Sequence, residues 1–108
     1  MASISGYRIK LQEQNNKCNH TINGKNNFVD SEHNMTLETC ANFCDGNDKC
    51  KFFFFNEINY CELYRSCSIL KGSSKYQGTT YEKVYKGNIN IRARYQETMK
   101  RVRYSLFT

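Results

Sequence analysis

The sequence predicts a small α+β domain that is held together by disulfides and followed by a basic arm. Six cysteines occur in a chain of 108 residues, and all of them lie between Cys18 and Cys67. The spacing of hydrophobic residues indicates one helix, with strands before and after it. The net charge of +6 comes from residues 83–108, which hold seven Lys or Arg against Glu97 alone. A chain this short often needs staples in addition to its core.

The first predicted strand lies in the segment SISGYRIKLQ. Its side chains alternate, with Tyr7, Ile9 and Leu11 on one face and Arg8 and Lys10 on the other, as in a half-buried strand. A polar stretch with an Asn-Gly turn follows and predicts a loop.

The predicted helix covers about residues 36–46. Thr36 is a suitable N-cap and Gly46 can end the helix. Between them, one apolar stripe follows the helical spacing and consists of Leu37, Cys40, Ala41 and Cys44. Cys40 and Cys44 therefore point the same way, one turn apart.

A β-hairpin is predicted in the segment CKFFFFNEINYCELYRSC. Aromatic residues favour strands, and a four-residue turn at positions 56–59 would pair Phe55 with Tyr60 and Phe54 with Cys61. Alternation then divides the side chains between two faces. The face toward the helix would hold Cys50, Phe52, Phe54, Cys61 and Leu63. The outer face would hold Lys51, Phe53, Phe55, Tyr60, Glu62 and Tyr64.

Packing the helix on that hairpin face predicts the disulfides Cys40–Cys61 and Cys44–Cys50, and Cys18–Cys67 remains as the third. The even number of cysteines also fits zinc binding or free thiols. Zinc sites usually show two matching Cys pairs, whereas here one near-pair stands without a mate. His20 and His33 could complete such a site, but they lie in an Asn-rich loop and are expected to be solvated.

The segment TLETCANFCDGNDKCKFFFFNEINYCELYRSC resembles the core of the PAN/apple domain family, with its Cys-x-x-x-Cys helix followed by a Cys-bearing hairpin. GTTYEK at residues 78–83 is similar to a closing strand of the protist and large-DNA-virus versions. The resemblance covers about residues 5–85. It implies a twisted antiparallel sheet cradling one helix and the bridges Cys40–Cys61 and Cys44–Cys50. It also implies a role in binding proteins or carbohydrates without catalysis. The first cysteine of an apple domain bonds one near the domain's end, whereas Cys67 follows soon after the hairpin.

Four aromatic residues of the predicted outer face are candidate partner contacts, namely Phe53, Phe55, Tyr60 and Tyr64. One interpretation is that the first strand, the arm or a loop covers them. The other is an exposed patch that docks a protein partner.

The arm at residues 86–108 follows the domain at residues 1–85 and alternates apolar with basic or polar side chains. Its candidate contact residues are Arg92, Arg94, Lys100, Arg101 and Arg103. The arm could close the sheet, remain solvated, or add a strand to a neighbouring subunit. Basic residues beside aromatics also suit phosphates or acidic glycans. Nucleic acid is not the expected partner, because no segment resembles a groove-reading motif.

The expected function is a non-enzymatic interaction or structural module that makes protein contacts within an extracellular or virion (capsid-associated) assembly. The sequence shows no catalytic signature, implies no cofactor, and contains no run of roughly 20 apolar residues that could span a membrane. The first residues are not expected to form a signal peptide. One alternative is a secreted or cell-surface adhesin that binds carbohydrate or protein, in which Asn19 and Asn34 could carry glycans. A second alternative is a zinc-dependent nucleic-acid-binding protein.

Overall fold

The computed structural model describes Ile4 and residues 6–84, which form one helix and nine strands. In chain order the elements are β1 (Tyr7–Gln14), β2 (Lys17–Cys18), β3 (Thr21–Ile22), β4 (Lys25–Asn26), β5 (Phe28–Glu32), α1 (Leu37–Asp45), β6 (Phe52–Asn56), β7 (Cys61–Tyr64), β8 (Ile69–Leu70) and β9 (Gly78–Lys83). Five strands form an antiparallel sheet in the order β1-β9-β6-β7-β5. Two short ribbons, β2-β8 and β3-β4, complete the α+β domain.

The helix α1 forms where the sequence predicts it. Thr36 is the N-cap: its hydroxyl accepts a hydrogen bond from the backbone N–H of Thr39 at 3.1 Å, and the Thr39 hydroxyl accepts one from the N–H of Thr36 at 2.7 Å. This reciprocal pair satisfies two backbone donors that the first turn would otherwise leave unpaired. Gly46 ends the helix, and the predicted stripe buries Cys40, Ala41 and Cys44 against the sheet.

The register of the β6–β7 hairpin differs from the prediction by one residue. Phe55 lies opposite Cys61 and Phe53 opposite Leu63, so five residues (56–60) separate the last paired residues where the prediction had four. The Asn56 side-chain carbonyl accepts hydrogen bonds from two backbone N–H groups of the turn, those of Ile58 and Tyr60, both at 3.1 Å. Asn59 takes the left-handed conformation with φ at 60°, which asparagine tolerates better than most residues. These two asparagines fix the longer turn.

The longer turn reverses the predicted faces of β6. Because side chains alternate along a strand, a slip of one residue exchanges its two faces. Phe53 and Phe55 therefore pack on the helix face, the side of the sheet that α1 covers, and Phe52 and Phe54 pack on the opposite, second face. The prediction was wrong for these four rings. It was right for β7, where Cys61 and Leu63 lie on the helix face.

Both faces of the sheet are covered. On the helix face, the ring of Phe53 stacks on Tyr81 at 4.8 Å between ring centroids and meets Tyr7 edge-on at 4.9 Å. On the second face, Phe54 and Tyr64 pack with Cys18 of β2. Four consecutive phenylalanines are compatible with a small basic protein because β6 is a central strand with a core on each side.

Three disulfides join these layers, and all three predicted pairings are confirmed. Cys40–Cys61 and Cys44–Cys50 tie the helix to the hairpin, and Cys18–Cys67 holds β2 on the second face. The partners are separated by 21, 6 and 49 residues respectively. Loop-closure entropy predicts contributions of about 3, 2 and 4 kcal/mol for loops of these lengths. The staples therefore supply a large part of the stability of so small a domain.

Gly78→Ala is expected to lower the free energy of unfolding by about 1–3 kcal/mol, the usual cost of overpacking a core. A Cβ at this position in β9 would clash with Cζ of the Phe54 ring and would lie 2.6 Å from its Cε2 and 2.8 Å from the backbone oxygen of Phe55. The measurement is chemical denaturation, with Gly46→Ala as the matched control, because a Cβ there would meet its nearest atom at 3.6 Å. Equal losses in the two variants would contradict the close approach of β9 to β6.

Candidate functional site

The four aromatic residues predicted as partner contacts do not share one exposed surface. Phe53 and Tyr64 are both fully buried, on opposite faces of the sheet. Phe55 is half-buried on the helix face. Tyr60 is half-buried at the hairpin turn, where its ring stacks on His33 at 4.3 Å between centroids. The interpretation that other segments cover these rings therefore holds for Phe53 and Tyr64, and neither can supply contact area to a partner.

The predicted arm contacts lie outside the described residues. These are Arg92, Arg94, Lys100, Arg101 and Arg103, and their part in binding stays a prediction.

A buried carboxylate on the second face is the main polar feature that the sequence analysis missed. The side chain of Glu62 is 3% exposed. Its Oε1 accepts a hydrogen bond from Lys17 Nζ at 2.8 Å, and its Oε2 accepts one from the Tyr64 hydroxyl at 3.1 Å. His20 Nε2 lies 3.2 Å from the same Oε2. A buried charge is tolerated only when paired and hydrogen-bonded in this way.

His20 is therefore bound into the fold, although half of its side chain remains exposed. Its ring stacks on Phe28 at 4.8 Å between centroids and lies edge-on to Tyr64. The histidine is exposed, as expected, but it also contacts the fold, because β5 and β7 bring Phe28 and Glu62 beside it.

The Tyr64 phenol stays protonated well into the alkaline range. Burial and the neighbouring Glu62 carboxylate raise its pKa far above the ordinary value of 10.0. The neutral hydroxyl is thus retained as a hydrogen-bond donor to Glu62 across physiological pH.

The stability that the neutral Tyr64 phenol confers is expected to be lost as pH rises. The folded-state pKa is raised, so the contribution is complete below the unfolded value of 10.0 and declines above it, where only the unfolded chain releases this proton. Denaturation of the native protein and of Tyr64→Phe from about pH 8 upward measures the effect. The stability difference between them should shrink above about pH 10. A constant difference would contradict the raised pKa.

A cleft of about 310 Å³ opens beside Glu62, and we call it the tyrosine cleft. Residues from β2, the segment after β5, the β6–β7 hairpin and the loop before β9 line it: Lys17, His33, Asn56, Ile58, Tyr60, Glu62, Ser73, Ser74, Lys75 and Tyr76. A second cleft of about 390 Å³ shares Lys17 and Ser73 with it and is also lined by His20. Clefts of this size that combine aromatic and polar side chains are typical of small-ligand sites.

Local hydrogen bonds hold the loop that forms one wall of the tyrosine cleft. The Ser74 hydroxyl donates to the backbone oxygen of Tyr76 at 2.6 Å, and the Ser74 N–H donates to the backbone oxygen of Asn15 at 2.9 Å. Lys75 Nζ lies 5.6 Å from the centre of the Tyr76 ring, within cation–π range. The wall therefore presents an aromatic ring and an ammonium group together.

All six cysteines are bonded in disulfides, so none of them offers a thiolate to zinc. Within Ile4 and residues 6–84, no group of three or more His, Cys, Asp or Glu side chains could hold a metal ion. No helix in this part of the chain is long and apolar enough to cross a membrane.

Comparisons of the chain with protein-family models, with curated protein sequences and with solved structures found no match.

Proposed function

We propose that this protein is a non-enzymatic interaction module that makes protein–protein contacts within a larger assembly outside the reducing cytosol, either extracellular or in a virion. The carrying observation is the set of three disulfides that tie one helix and a two-stranded ribbon to a single sheet. Disulfides of this density persist in oxidising environments. They make a rigid scaffold, and a rigid scaffold loses little conformational entropy when it binds a partner.

We propose that residues 1–85 form a domain of the PAN/apple family. The support is the helix held on an antiparallel sheet by Cys40–Cys61 and Cys44–Cys50, with the GTTYEK segment as strand β9 between β1 and β6. The resemblance implies binding in place of catalysis, in agreement with the proposed role.

The basic arm is the proposed contact with other subunits. Residues 83–108 carry the whole net charge of the chain, and their alternating pattern suits strand addition to a neighbouring subunit. Deleting residues 87–108 is expected to abolish incorporation into the assembly while the three disulfides still form. Tagged full-length and truncated chains are expressed in the organism that makes the protein. The measurement compares the fraction of each chain that is recovered in the high-mass particle. Equal incorporation of the two chains would overturn this role of the arm.

A secreted or cell-surface adhesin is the second candidate function. The tyrosine cleft favours it, because its half-buried aromatic rings and polar groups are of the kind that bind a small polar ligand. Selective binding to a glycan array by a full-length protein that forms no larger assembly would favour this candidate over the first.

A further inference from the structure

The aromatic side chains of the tyrosine cleft offer surfaces against which an apolar face of a ligand can pack. Tyr60 and Tyr76 are each half-buried, so part of each side chain remains accessible, and Ile58 is 46% exposed at the same cleft. The stack with His33 fixes the Tyr60 ring. A fixed ring binds at low cost in conformational entropy. A sugar ring, whose C–H groups make an apolar face, suits such a surface.

The polar groups of the same cleft suit hydroxyls. Glu62 reaches the cleft while almost entirely buried, and two donors and one imidazole nitrogen of the described chain contact its carboxylate. A carboxylate has about four acceptor positions, which leaves room for a ligand hydroxyl. Ser73, Ser74 and Asn56 also line the cleft, and each makes hydrogen bonds within the protein. An apolar face beside polar groups is the combination that a pyranose requires.

The charge of the lining selects among sugars. Lys17 and Lys75 are the cationic residues of the lining and Glu62 the anionic one. Lys17 is paired with Glu62 at 2.8 Å, so the excess positive charge of the lining lies at Lys75. A carboxylate on the ligand would complement it.

We propose that the tyrosine cleft binds one carboxylated sugar unit, with the pyranose ring against Tyr60 and Tyr76 and the carboxylate at Lys75. This inference rests on the second candidate function, the adhesin, because it assigns a ligand class to the tyrosine cleft. The volume of about 310 Å³ lies at the lower end of the roughly 300–1,000 Å³ typical of small-ligand sites, which suits a single unit.

The test is a titration of the full-length protein with methyl β-D-glucuronide as the probe. Binding is monitored through the amide chemical shifts in NMR spectra. Methyl β-D-glucoside is the matched ligand, since it differs only in having a hydroxymethyl group in place of the carboxylate. The glucuronide should shift amides at residues 58–60 and 73–76 saturably and bind up to about fivefold more tightly than the glucoside, the range expected for one exposed ion pair.

Three variants and one further ligand make the test specific. Lys75→Gln should remove the preference for the glucuronide, whereas Lys71→Gln, at an exposed lysine outside the cleft lining, should keep it. Tyr60→Ala should weaken both sugars. Equal affinity for the two sugars, shifts confined to residues 85–108, or the same shifts from acetate alone at the same affinity would each overturn the inference.

Failure here is distinguishable from failure of the proposed function. A chain that enters its assembly through the arm but binds neither sugar would refute the saccharide site and leave the interaction module standing. If the truncated chain assembles normally, the proposed role of the arm is refuted, whatever the result of the sugar titration.

Discussion

Phe53→Ala is expected to lower the free energy of unfolding by about 3–5 kcal/mol, the usual range when a buried phenylalanine is truncated. The ring is fully buried between α1 and the sheet, stacked on Tyr81 and edge-on to Tyr7. The loss combines the transfer free energy of the ring with the cavity that it leaves. Equilibrium unfolding in guanidinium chloride, with disulfides intact, is the measurement.

Phe52→Ala is the matched control for this prediction. Phe52 lies next to Phe53 in the same strand but on the second face, and it is only half-buried. Its truncation should cost clearly less than that of Phe53. If Phe52→Ala were the more damaging change, the hairpin would have the four-residue turn and the opposite faces.

Glu62→Gln is expected to destabilise the protein by about 3–5 kcal/mol, because breaking a buried ion pair leaves the remaining charge uncompensated. Lys17, whose side chain is 18% exposed, would lose its anionic partner, and the Tyr64 hydroxyl would lose a charged acceptor. Thermal or chemical unfolding measures the loss. Glu57→Gln, the same change at an exposed position of the hairpin turn, should stay within about 0.5 kcal/mol.

The double variant Lys17→Met/Glu62→Gln separates the pair from its surroundings. Removing both charges should restore part of the stability that Glu62→Gln loses, since apolar replacements of buried ion pairs are often neutral or better. The interaction energy from the double-mutant cycle should then be on the order of 1–3 kcal/mol. Purely additive losses would show that Lys17 and Glu62 do not depend on each other.

The helix and the disulfides could be predicted because local signals determine them. Thr36 and Gly46 mark the ends of α1, and the spacing of Cys40 and Cys44 places both on one face. The bridges then follow from packing the helix on the hairpin, and the observed pairs agree. This part of the prediction was correct despite the wrong hairpin register, because Cys61 lies on the helix face in both the predicted and the observed register.

The faces of β6 could not be predicted, because two asparagines of the following turn decide them. A run of four phenylalanines has no alternation from which to assign sides. The choice depends on Asn56, whose carbonyl binds two N–H groups across the turn, and on the left-handed Asn59.

The tyrosine cleft also escaped prediction, for a different reason. Lys17 and Glu62 are separated by 45 residues and Asn15 and Ser74 by 59, and no periodic pattern links such positions. The only available signal was a charged residue, Glu62, between Cys61 and Leu63 in an otherwise apolar strand. In a two-sided core such a residue must face inward and needs a buried partner.

The central claim is that three disulfides hold a rigid binding scaffold, and mass spectrometry of the protein from its natural source tests it most directly. Free thiols are alkylated first, and the unreduced chain is then digested and its bridged peptides are identified. We predict no alkylation, an intact chain lighter by six hydrogens than the reduced form, and the bridges Cys18–Cys67, Cys40–Cys61 and Cys44–Cys50. Alkylated cysteines or other pairings would contradict the scaffold, and free thiols would return the cysteines to zinc binding as the leading alternative.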